Sequence, residues 1–159
     1  MAALNEGQVD SLSLAEAVSH LLEECRMVLP GVQALFGFQL IAVFSAGFEV
    51  QLSPFEQRLH LLALALVAMA GALVMAPAAY HRQTRPREAS EHFLSLGGRL
   101  LLGSMIPLLA GIGIDFYLIS RIIMESRAIA ALLAILLMGF FASFWFLLPR
   151  MRRDGPSGP

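Results

Sequence analysis

Long apolar stretches alternate with short polar ones along the chain. No Asp, Glu or Arg occurs from Met27 to Phe48, from Leu59 to His81, or from Ala128 to Pro149. Each stretch is about 22 residues, and a helix rising 1.5 Å per residue needs about 20 to cross the hydrocarbon core of a bilayer. A fourth stretch follows Arg99, is interrupted by Asp115 and stays apolar to Ile119. The pattern predicts four transmembrane helices, near residues 29–49, 58–80, 98–120 and 128–149. The runs are continuous and rich in Leu and Ala, not alternating, which favours helices over a barrel. The expected fold is therefore all-α, an integral-membrane four-helix bundle.

Local signals set several helix ends. Ser53-Pro54-Phe55-Glu56 places a capping Ser, a Pro at the first helical position and a Glu at the third, which marks the start of the second span. Pro77 lies near its end, and Pro149 closes the fourth. Ahead of the first span, Ser13 and Glu16 resemble a capping box, and Leu14, Val18, Leu21, Leu22 and Cys25 recur at helical spacing. This predicts an amphipathic helix over 13–28, within a cytoplasmic segment 1–28, and a bend near Pro30-Gly31. Residues 1–26 are acidic and lack the basic start and apolar centre of a secretory signal, so the first span is expected to direct insertion. The Gly/Pro/Ser-rich tail, 150–159, is expected to be disordered and cytoplasmic.

Composition agrees with a membrane protein. Of 159 residues, 57% are hydrophobic and 14% charged, against about a half and a quarter in soluble domains. The net charge is −1 and every one of the basic residues is Arg, so no basic face for nucleic acid is present. Cys25 stands alone, which excludes an internal disulfide and a Cys-based zinc site. With four spans, both termini and the middle loop share a side. That side carries Arg26, Arg82, Arg85, Arg87, Arg99 and the three Arg of the tail, while Arg58, Arg121 and Arg127 lie opposite. The asymmetry places both termini in the cytoplasm. Phe44, Phe48, Phe55, Phe116 and Tyr117 then fall near the outer boundary, and Tyr80 and Trp145 near the inner one.

Glu24 and Arg26 precede Gly31-Val32-Gln33-Ala34-Leu35-Phe36-Gly37-Phe38, and Phe48, Arg58, Ala76-Pro77 and His81-Arg82 follow. In these residues the chain resembles a bacterial family of small integral membrane proteins classed as a domain of unknown function. The resemblance is best over residues 20–85. It implies four spans and a cytoplasmic-membrane location, and it supplies no catalytic residues. Some members of that family carry a sodium:proton antiporter label. This chain is too short for the two inverted repeats with broken helices that such antiporters use.

Asp115 is the most informative polar residue. It lies about 24 Å along a helix from Arg99, a few Å inside the outer boundary of the core. Gly103, Pro107, Gly111 and Asp115 recur every fourth residue and form one row, and small residues usually face other helices in a membrane. Arg121, Arg58 or a buried water is expected to satisfy Asp115, either as a proton- or cation-binding carboxylate or in a structural ion pair. Pro107 removes the backbone bond to the Gly103 carbonyl and is expected to kink the third span. Gln33 and Gln39 point in different directions from the first span. Gln33 shares a face with Gly37 and is the candidate for a polar pathway or an interhelical hydrogen bond. Glu49 and His60, with Glu56 and Arg58, form either a capped surface turn or an ion-gathering mouth. His81, Arg82, Arg85 and Arg87 form a basic collar suited to anionic lipid or a partner. Ala65, Ala68, Ala72, Ala76 and Ala79 form a small-residue stripe for packing within the bundle or between protomers.

The sequence lacks G-x-S-x-G, H-E-x-x-H and P-loop motifs, and neither a cofactor nor a metal site is expected. No enzyme is expected. The most concrete expectation is a small proton or monovalent-cation channel or transporter of the bacterial inner membrane, acting as a homo-oligomer. The alternative is a non-transporting scaffold that contacts lipid or a partner through the amphipathic helix and the collar. Asp115 discriminates the two.

Overall fold

The computed structural model describes the backbone of residues 2–83 and 91–148, and their side chains from Leu14 onward. The chain is all-α. Helix α1 spans Ala2–Val43, α2 is a short turn over Phe48–Gln51, α3 spans Pro54–Gln83, α4 spans Glu91–Met124 and α5 spans Arg127–Ala142. A π-helical turn, Ser143–Leu147, continues α5. Four helical segments, within α1, α3, α4 and α5 with its π turn, are long and apolar enough to cross a membrane. Arg85, Arg87, Pro149 and the tail lie outside the described residues.

Of the caps expected from the sequence, that of α3 forms, whereas Ser13 lies inside α1 and starts no helix. The backbone N–H and hydroxyl of Ser53 both donate to Glu56 Oε2, at 2.8 and 2.7 Å, and fix the start of α3. Ser126 caps α5 by accepting from the Ile129 amide. Glu125, just before it, has φ 51°, a left-handed residue that stops α4 and lets the chain reverse in a tight turn.

The helix expected over 13–28 is longer than that, since α1 starts at Ala2 and runs without interruption through Pro30 into the first span. Proline removes one backbone donor, and the turns on either side carry the helix through. Helices α3 and α4 likewise continue through Pro77, near the end of α3, and through Pro107.

Helix α3 sits at the centre. Its buried face reads Glu56, His60, Ala63, Val67, Ala70, Val74 and Pro77, at alternating steps of three and four. Helix α4 packs along this face most extensively, α1 lies against both, and α5 packs on α4. Close approach of α3 and α4 requires Gly111. A Cβ there would stand 2.8 Å from Val67 Cγ2 and 3.2 Å from the Ala63 carbonyl oxygen. At the other end Val18 and Leu21 of α1 pack on Phe93 of α4.

The alanine stripe lies on the opposite side of α3. Ala65, Ala68, Ala72 and Ala79 are exposed, because Ala63 and Val67 on the other face make the tight contact with Gly111. The outer surface is largely apolar, with Leu61, Met69, Leu102, Ile106, Ile135 and Phe140 among its exposed side chains. So extensive an apolar surface is untenable in water and matches hydrocarbon. The chain is a multi-pass membrane protein.

Candidate functional site

Three polar side chains from three helices meet near the end of the bundle that holds α2. Gln39 comes from the last turns of α1. His60 lies about 9 Å along α3 from Pro54, and Asp115 about 13 Å back along α4 from Met124. All three therefore sit below the helix ends, within the spans.

Their hydrogen bonds close a ring. Gln39 Nε2 donates to Asp115 Oδ2. His60 Nδ1 lies 3.1 Å from Asp115 Oδ1, and His60 Nε2 lies 3.0 Å from the backbone carbonyl oxygen of Gln39. A carbonyl can only accept, so Nε2 carries a proton. A neutral ring with Nε2 protonated has a bare Nδ1, which cannot bond an ionised carboxylate. The contact with Oδ1 therefore holds one further proton, on the ring as imidazolium or on the carboxyl. That proton lies between His60 and Asp115, whose side chains are only 9% and 15% exposed. Phe48, from α2, packs edge-on against the His60 ring, with centroids 5.3 Å apart.

The ring leaves one acceptor over. Gln39 is buried, and its Oε1 has no hydrogen-bond partner. An unpaired buried acceptor costs roughly 1–3 kcal/mol. Gln39, His60 and Asp115 line a cavity of about 290 Å³, together with Phe38, Phe48 and Leu118.

A second polar cluster lies nearer the helix ends. Arg121 Nε is 2.6 Å from Glu56 Oε1, and Arg121 Nη1 donates to the Gln51 carbonyl at 3.0 Å. Glu56 is thus held by both its own cap and α4. Arg121 does not reach Asp115. Six residues further along a helix, it points well away from it, and Glu56 occupies it. Arg58 is exposed. The partners of Asp115 are Gln39 and His60 instead.

Of the residues singled out from the sequence, Asp115 and His60 come together. Gln33 is exposed on α1 and Glu49 is exposed on α2, both outside the ring. Pro107 is buried in α4, about 12 Å along the helix from Asp115. His81 lies at the far end of α3, where its ring sits 5.6 Å from that of Phe93, and Arg82 is exposed. Gln39, not Gln33, belongs to the site. Its signal lay in the buried face of α1, where Cys25, Val32 and Gln39 follow one another at steps of seven. Among the described residues, no three His, Cys, Asp or Glu side chains converge as a metal site would need.

Compared with known families, residues 13–149 match the model of DUF6328, a family of unknown function. The match extends well past residues 20–85, where the sequence resemblance was best. No curated protein matches the chain. No solved structure matches it.

Proposed function

The chain belongs to DUF6328, a family of unknown function, and from the site alone we propose that it moves protons or a monovalent cation across the membrane. The observation that carries this reading is the transferable proton held between His60 and Asp115 inside the spans. An ionisable Asp within a bilayer costs up to roughly 2.5–3.5 kcal/mol, and such residues mark ion pathways and proton relays. A purely structural link between helices needs no titratable pair, since two amides would serve.

Asp115 is the proton-binding group in this reading, His60 its relay partner and Gln39 the residue that holds the carboxylate. Towards the other end of the bundle, the α3 face that continues from His60 is apolar, with Val67 and Val74 fully buried. The working unit proposed is therefore a homo-oligomer, or a bundle that opens during transport. The excess of Arg at one end supports a cytoplasmic location for both termini, in a bacterial inner membrane. His81 and Arg82 would there meet anionic headgroups.

Proton flux in proteoliposomes tests the proposal. Under a potassium diffusion potential, wild-type protein is expected to acidify or alkalise the lumen above the rate of empty liposomes. Asp115→Asn, folded to the same extent, is expected to reduce that flux to background. Wild-type flux at the background level, from folded and reconstituted protein, would sink the proton-moving version.

A further inference from the structure

The cavity beside the ring has a polar end and apolar walls. Gln39, His60 and Asp115 form the polar end, Ser45 and Gln51 add polar atoms to the lining, and Phe38, Phe48 and Leu118 belong to the walls. Its volume of about 290 Å³ far exceeds the roughly 30 Å³ of a water molecule and approaches that of small-ligand sites. The anionic group at its polar end is the Asp115 carboxylate. Both ring nitrogens of His60 are engaged, and one N–H of the Gln39 amide goes to Asp115. The carboxylate keeps further lone pairs, and its side chain is 15% exposed.

We propose that this cavity takes a small protonated amine with a compact apolar body, in exchange for the proton between His60 and Asp115. The inference rests on the reading of that pair as an ion-handling site. The carboxylate accepts N–H donors and selects a positive charge. A bare hard cation of the Ca²⁺ or Mg²⁺ kind needs about six oxygens, and the apolar walls cannot supply them. An ammonium needs only acceptors, and Phe38 and Phe48 offer aromatic surface for the cation and its apolar part.

The exchange balances in charge. The pair with its shared proton is neutral as a unit. On binding, that proton leaves to water, Asp115 is ionised and His60 keeps Nε2–H with a bare Nδ1. The ammonium retains its own protons, and no covalent bond to the ligand changes. The N–H groups of a primary ammonium then have the Asp115 carboxylate and His60 Nδ1 as acceptors. The titratable residues lining the cavity from α1, α2, α3 and α4 are His60 and Asp115, among the described residues. Glu56 of α3 and Arg121 of α4 are paired with each other, and Glu49 of α2 is exposed outside the lining.

Titration of the full-length protein in detergent with phenethylammonium chloride tests this, in weak buffer with a pH indicator. Saturable binding with release of about one proton per bound ligand is expected. The trimethylated analogue keeps the charge and lacks every N–H, and is expected to bind at least about tenfold more weakly. Gln39→Leu is expected to weaken phenethylammonium by about the same factor. Absence of saturable binding, binding without proton release, or equal binding of the trimethylated analogue would each overturn the inference. Proton flux in liposomes is read separately. Flux intact with no amine binding overturns this inference alone, whereas amine exchange with no flux supports it and strikes the transport reading.

Discussion

Arg121 reaches from α4 to Glu56 and to the Gln51 carbonyl, and so ties the α2–α3 turn to the end of α4. Glu56 is almost fully buried, with its side chain 4% exposed against 25% for Arg121. Removing one partner of a buried pair strands the other, at about 3–5 kcal/mol. Arg121→Ala is expected to cost about 3 kcal/mol, the low end, because the guanidinium is partly solvated. The buried thiol of Cys25 reports it, since a maleimide dye should label Cys25 at a lower temperature in the variant than in wild type. Unchanged labelling would mean that the pair does not hold the turn. The residue scale was only partly legible in the sequence. The Ser53–Glu56 cap could be read directly, since it depends on spacing alone. The partner of Asp115 could not: Arg121, Arg58 and a buried water were the candidates, and which group reaches it depends on how far α3 and α4 are rotated about their axes. Gln39 was within reach, through the face that Cys25 and Val32 begin.

Helix pairs are governed by the glycines of α4. Gly111 lies where α3 comes closest, and a methyl group there meets the Ala63 carbonyl oxygen as well as a side chain. Backbone cannot step aside as a flexible side chain can, so Gly111→Ala is expected to cost about 1–3 kcal/mol. Gly103→Ala is the control, because nothing lies within 4 Å of the added methyl. Thermal unfolding followed by Cys25 labelling should separate the two, and equal melting would contradict the α3–α4 packing. The run of charge-free residues defined the helices well, since a bilayer demands it. It could not tell that α1 is a single helix through Pro30, because proline lowers helix stability locally while neighbouring turns decide whether the helix continues. Nor could it choose between the two small-residue faces of α3. Ala65, Ala68 and Ala72 resemble a packing stripe as closely as Ala63, Val67 and Ala70 do, and only the partner glycines settle which one packs.

At the scale of the whole molecule, four spans place the two ends of the bundle on opposite sides of a membrane. The site, Glu49 and the Arg121 cluster share one end, while Phe93, His81 and Glu91 share the other. The proposed orientation predicts that Glu49→Cys, in a Cys25→Ala background, reacts with an impermeant maleimide added to whole cells. Glu91→Cys should react only after the membrane is opened. The reverse pattern would invert the orientation and turn the cavity towards the cytoplasm. Fold class and span number were legible because composition and run length determine them in a bilayer. The three-helix meeting of Gln39, His60 and Asp115 was not, since it joins residues from sequence positions far apart. The central claim is the transferable proton in that meeting, and its most direct test is nitrogen-15 NMR of the histidine rings in the full-length protein. His60 is expected to keep a bonded proton on Nε2, with Nδ1 either protonated or accepting a strong hydrogen bond, and Asp115→Asn should shift the Nδ1 signal. A His60 ring with Nε2 bare, or a spectrum indifferent to Asp115→Asn, would contradict it.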